Sequence, residues 1–108
     1  MAPFLSLAKK VAKKSWHKSF FHSAVLIRGG SLIATGYNKG NRHAEMACIG
    51  KAWGSEVEGC TLLSIRVTKG GLLANGKPCF DCEQALRKAG IKKIMYSTAD
   101  RTIEEMRL

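Results

Sequence analysis

No stretch of this 108-residue sequence is apolar for long enough to form a membrane-crossing helix. The longest runs, Ser23 to Ile27 and Thr61 to Ser64, fall far short of the roughly eighteen residues required. Lys9, Lys10, Lys13 and Lys14 are followed by neither a continuous apolar segment nor a small-residue cleavage site, so no secretory leader is expected and a cytoplasmic setting is. Acidic residues are scarce, 8 against 18 Lys and Arg, and the resulting net charge of +10 suits an anionic partner as readily as a merely lysine-rich, solvated surface. Aromatics make up only 7% of the chain, and a core needs several of them, which leaves few for exposed platforms on which unpaired bases stack. Internal repeats, low-complexity tracts and linkers are missing too. A chain of this length is enough for one domain, residues 1–108, around one core, and too short for two of typical size.

What is present is a soluble globular composition, 45% hydrophobic and 24% charged. Phe4, Leu7, Ala8 and Val11 recur at helical spacing with lysines opposite, predicting an amphipathic helix over 4–14 that docks its apolar stripe on a sheet. Ser23 to Arg28 and Ser31 to Tyr37 are β-rich runs separated by Gly29 and Gly30, the signature of a hairpin whose tight turn needs positive φ. A second helix is expected from His43 to about Trp53, with Met46, Ile49, Gly50 and Trp53 on one face and Gly54 closing it. Cys60 to Val67 reads as a central strand covered on both sides. Pro78 is expected to open a third helix at its first position, and Gly90 to end it. Ile91 to Ser97 is a further strand. Too few residues follow it for a parallel crossover, so any strand in 103–108 must return antiparallel through the turn at 99–102. The sum is an α/β fold, a three-layer sandwich on a mixed sheet.

Four cysteines in a reducing setting are metal ligands or buried thiols before they are disulfides. Cys79 and Cys82, three apart at a helix start, can bring both sulfurs to one point, and the helix N-terminus is expected to favour their thiolates. His43 and Glu45 are two apart, and they converge only where a chain enters its first helical turn. In that arrangement His43 binds a metal while Glu45 reaches a water on it. Three protein ligands plus water is the open coordination of a catalytic zinc, whereas a structural zinc is closed by four. A redox pair would leave His43-Ala44-Glu45 unexplained, and none of His17, His22, Cys48 or Cys60 stands at a convincing spacing for a fourth ligand. Cys48 and Cys60 read as core thiols. His22, ahead of the first strand with Phe20 and Phe21, reads as packing more readily than as part of a pocket.

The order His43-Ala44-Glu45 then Pro78-Cys79-Phe80-Asp81-Cys82, with the elements around it, resembles the zinc-dependent cytidine and deoxycytidylate deaminase superfamily over about residues 23–97. The resemblance implies a Zn2+ cofactor, hydrolytic deamination of a nucleobase, and Glu45 as the proton carrier. It implies substrate contacts from Asn38, at the family's ribose-contacting position, and from Ala44 and Pro78-Cys79, where the backbone N–H groups of Ala44 and Cys79 face the base or the attacking oxygen. It also implies a subunit that sometimes completes its site with a neighbouring copy, hence a possible homo-oligomer. Lys77 stands where tRNA adenosine deaminases usually have Glu, and the loop over 68–77 is longer than theirs, so cytosine is the preferred base. The antiparallel last strand favours a free nucleoside or nucleotide. The charge keeps open a cytosine in single-stranded DNA or RNA, a tRNA adenosine, or a basic nucleic-acid-binding module with an inert zinc.

Overall fold

The computed structural model describes residues 2–15, 20–38, 43–52 and 57–108; His17, Trp53, Gly54 and the loop over 39–42 lie outside them. The elements run α1 (Ala2–Ala12), β1 (Phe20–Arg28), β2 (Ser31–Tyr37), α2 (Ala44–Ile49), β3 (Thr61–Thr68), β4 (Leu73–Ala74), α3 (Phe80–Lys88), β5 (Lys93–Ser97) and β6 (Ile103–Arg107). One six-stranded sheet has the order β2-β1-β3-β5-β6, with β4 paired to β3. β3 and β5 are parallel, joined by the α3 crossover, and β6 returns antiparallel with Ser97 opposite Ile103, as the short remaining tail requires.

The hairpin forms where two adjacent glycines allow it. Gly29 and Gly30 both take positive φ, 56° and 82°, the geometry of a primed turn whose twist matches the strands it joins. Strand alternation then sorts side chains to two faces. On one face Val25, Ile27, Leu63, Ile65 and Val67 pack beneath Ala8 and Ala12 of α1. On the other, Ala24, Leu26, Leu62 and Ile94 meet Ala44 and Cys48 of α2 and Leu86 of α3. Helices on both sides of a mixed sheet make the three layers, and each fully buried Leu or Ile contributes about 2 kcal/mol.

Three local expectations need correcting. α2 is shorter than its sequence pattern implied, and the residues it buries are Ala44, Glu45 and Cys48; Met46 and Ile49 are only half-buried, because the chain meets β2 through the smaller side chains. Pro78 precedes α3 instead of opening it: Cys79 is the N-cap, its sulfur accepting the Cys82 N–H at 3.4 Å. β4 was not foreseen, being only two residues that pair with Arg66 and Val67. The far end of α3 matches expectation. Gly90 has φ 88°, its N–H donates to the Arg87 carbonyl, and the Ile91 N–H donates to Leu86, which closes a Schellman motif with Leu86 and Ile91 both buried.

Candidate metal centre

Gly36 brings the first half of the site into place. A Cβ built there would lie 2.5 Å from the Cys48 nitrogen and 2.7 Å from the Ala44 carbonyl oxygen, so only glycine lets α2 rest directly on β2. The chain arrives at α2 extended, with His43 as N-cap at φ −70° and ψ 151°, and no side-chain capping bond ties up its ring. His43 is exposed, whereas Glu45, in the first turn, is almost wholly buried.

The second half is strapped to the sheet by serines. Ser64 Oγ donates to the Gly76 carbonyl at 2.6 Å and Ser97 Oγ to the Ala74 carbonyl at 2.6 Å, while the Gly76 N–H donates to the Ser97 carbonyl at 2.8 Å. A Cβ on Gly76 would collide with Ser97 Oγ at 2.7 Å and the Ser64 carbonyl oxygen at 2.8 Å. Asn75 Oδ1 accepts the Lys77 N–H at 3.1 Å, turning the chain into buried Pro78 and the exposed cap, Cys79.

These two halves bring His43, Cys79 and Cys82 together, with one ligand atom from each lying within 4.8 Å of the others. His43 Nδ1 is 3.2 Å from Cys82 Sγ and 3.9 Å from Cys79 Sγ. Around a tetrahedral zinc with ordinary bond lengths, nitrogen and sulfur ligands are about 3.6 Å apart, so these separations fit that ion. Among the described residues no fourth His, Cys, Asp or Glu joins the group. Cys48 and Cys60 are buried free thiols elsewhere, as expected of core cysteines.

A model of the cytidine and deoxycytidylate deaminase zinc-binding region matches residues 2–98. The chain belongs to this family. Zn2+ is the metal that its donor set, one imidazole and two thiols, suits. A deoxycytidylate deaminase of Schizosaccharomyces pombe is 29% identical over 89% of this chain but only 36% of its own length, so the chain spans about a third of that relative. The fold is shared with the dCMP deaminase of cyanophage S-TIM5 at TM-score 0.71 and 21% identity, covering 90% of this chain and 81% of that one. It is shared as well with a diaminohydroxyphosphoribosylaminopyrimidine deaminase/5-amino-6-(5-phosphoribosylamino)uracil reductase of Thermotoga maritima, at TM-score 0.67 and 24% identity, covering 89% of this chain and 29% of that one.

Burial sets the electrostatics of the family site. It raises the Glu45 carboxyl above its ordinary range, against the lowering effects of its own backbone N–H, His43 and Arg66. Burial, then the Glu45 carboxylate and the neighbouring Cys79, push the Cys82 thiol up to about 12. Without a metal, desolvation works against the thiolate at Cys82, and a cation among the three side chains would favour it.

His22 is the residue that sequence reasoning undervalued. It lies within β1, not ahead of it, and strand alternation puts it on the same face as Ala24, Leu26 and the site. Its Nε2 is 2.7 Å from Ser64 Oγ, and its Nδ1 is 3.7 Å from Glu45 Oε1. Burial, then Arg66 and His43, lowers its pKa to about 3, so the ring is neutral at ordinary pH. Asn38 is held in place by its own ladder: Oδ1 accepts the His22 N–H at 3.1 Å and the Ser15 hydroxyl, and its N–H donates to the His22 carbonyl. Ala44 is fully buried in the first turn of α2.

Proposed function

We propose that residues 1–108 form one zinc-dependent deaminase domain that hydrolytically removes the amino group of a cytosine nucleoside or nucleotide. The observation that carries this reading is the three-ligand group, open on its fourth side among the described residues, with a buried glutamate two positions from its histidine. His43, Cys79 and Cys82 hold the metal. When bound, zinc supplies Lewis acidity that brings water into the hydroxide range near neutral pH. Glu45 would carry the protons: as a carboxylate it takes one from the attacking water, hands one to the ring nitrogen beside the attacked carbon, and assists ammonia in leaving. The Ala44 and Cys79 N–H groups at two helix starts orient the base with Pro78 walling the same side, and Asn38 offers its amide N–H group to the sugar.

Cytosine is favoured by the kinship with deoxycytidylate deaminase, and the excess of positive charge favours a phosphorylated form. The same charge supports a second reading, cytosine deamination in a single strand. Four free cysteines agree with action in the cytoplasm, and a homo-oligomer would complete the pocket. The test is ammonia release from cytidine, CMP, dCMP, adenosine and single-stranded oligonucleotides, with zinc measured in parallel. Conversion of the mononucleotides is expected. Glu45→Ala should abolish it while zinc stays bound, and a fully active Glu45→Ala protein would end this account.

A further inference from the structure

Charge is unevenly placed along this chain. Residues 1–44 hold eight Lys and Arg with no Asp or Glu, and residues 59–80 hold three with none. Those stretches supply α1, β1, β2, β3 and β4, so the helix on one face and most of the sheet have no acidic side chain of their own to balance their cations. On the α1 side the imbalance meets a cavity of about 240 Å3, lined by Lys13, Phe21, Val67, Thr68, Lys69 and Gly71. Its floor follows from strand pairing. Phe21 of β1 and Val67 of β3 stand opposite each other in the antiparallel register, and alternation turns them away from His22 and Arg66, so the cavity and the metal group lie on opposite faces of one sheet. The turn after β3 forms one wall. The Thr68 N–H donates to the Leu72 carbonyl at 2.8 Å, the Gly71 N–H to the Thr68 carbonyl at 2.9 Å, and the Leu72 N–H to Thr68 Oγ1 at 3.2 Å, which fixes the turn that carries Lys69. Lys13, just past the end of α1, borders the cavity from the helix. Both lysines are exposed, and neither has an ion pair among the described residues. Two ammonium groups bordering one cavity repel each other, and an anion shared between them replaces that repulsion with attraction.

We propose that this cavity binds a small phosphate monoester with an apolar body, Lys13 and Lys69 holding the phosphate while Phe21 and Val67 hold the body. A phosphate monoester carries about −1.5 to −2 charges near pH 7, which matches two lysines better than a carboxylate does. The side chains of Phe21 and Val67 form no hydrogen bonds and Thr68 Oγ1 already accepts one, so the floor suits a hydrocarbon body and not one rich in polar groups. The volume lies below the roughly 300–1,000 Å3 of sites for drug-sized ligands, which limits that body to about one ring or a short chain. The assignment does not depend on the deaminase reading, since the metal group lies across the sheet.

The test titrates phenyl phosphate and inorganic phosphate into the full, zinc-loaded chain, followed by 15N–1H chemical shifts. Phenyl phosphate should move the amides of Lys13, Phe21, Val67, Thr68, Lys69 and Gly71, and should bind about 10-fold more tightly than inorganic phosphate because its ring is buried. Lys13→Gln and Lys69→Gln should each weaken phenyl phosphate about 10-fold, the loss of one charge-assisted hydrogen bond. Lys88→Gln takes the same charge from the exposed end of α3, on the other face, and should leave the affinity within about 2-fold, because salt screens so distant a charge. Equal weakening by all three variants would make net charge the whole attraction. Inorganic phosphate binding as tightly as phenyl phosphate would remove the apolar floor, and shifts confined to His43, Cys79 and Cys82 would put the ligand at the metal. Each of these three results overturns the proposal. Should either lysine variant fail to fold, the shift map and the ranking of the two probes in the unsubstituted protein still decide it.

Discussion

A histidine buried as a neutral ring makes stability depend on pH. The pKa of His22 is about 3 in the fold and near 6.5 when the chain is unfolded, so between those values the unfolded chain binds the extra proton. The sign follows: the contribution is fully present above about 6.5 and is lost as pH falls toward 3, on the order of a few kcal/mol across the window. Melting temperatures measured from pH 7 down to 4 should fall, and fall less steeply in His22→Asn; identical profiles would show that His22 is not the group responsible. At this scale the gathering of His43, Cys79 and Cys82 was legible, because both motifs are short and each converges at a helix start. His22 was not, since its partners lie 42 and 23 positions away and meet it only through β-sheet pairing and the docking of α2.

Among the elements, the glycines separate flexibility from fit. Gly36→Ala forces a Cβ into the α2 backbone and should cost about 1–3 kcal/mol or more, with zinc affinity falling because His43 caps that helix. Thermal melts and metal content check both effects, and an unchanged Gly36→Ala protein would mean that α2 stands off the sheet. Gly29 is the contrast, with φ 56° and nothing within 4 Å of a built Cβ; asparagine tolerates that region, so Gly29→Asn should lie within about 0.5 kcal/mol of the parent. The hairpin was readable from two adjacent glycines and the antiparallel β6 from the length of the tail. The extent of α2 and the existence of β4 were not, for both are decided by what they pack or pair with and not by their own periodicity. Gly36 did leave a trace, an isolated glycine inside a strand pattern, which marks close approach of another backbone.

For the whole molecule, a metal held by His43, Cys79 and Cys82 would link two chain segments 36 positions apart, so its removal should loosen the fold as well as stop the proposed chemistry. Treatment with a chelator is expected to lower the melting temperature and abolish ammonia release, and added Zn2+, but not Mg2+, to restore both; activity that survives complete zinc removal would contradict the assigned ligand set. Any binding to single-stranded oligonucleotides should weaken steeply with salt, as counterion release demands of a chain with net charge +10. The layer order was legible because apolar patterning named each docking face, while the convergence of the two motifs needed the sheet order β1-β3-β5 to bring their segments side by side.

That sheet is also a bulkhead. The lysine-bearing helix α1 lies across one side, and both ligand-bearing helices lie on the other. Charge on the α1 side can therefore be altered apart from the layer that gathers the ligand cluster: exchanging Lys10, on the exposed face of α1, for glutamate should change the attraction to anions while His43, Cys79 and Cys82 stay where they are.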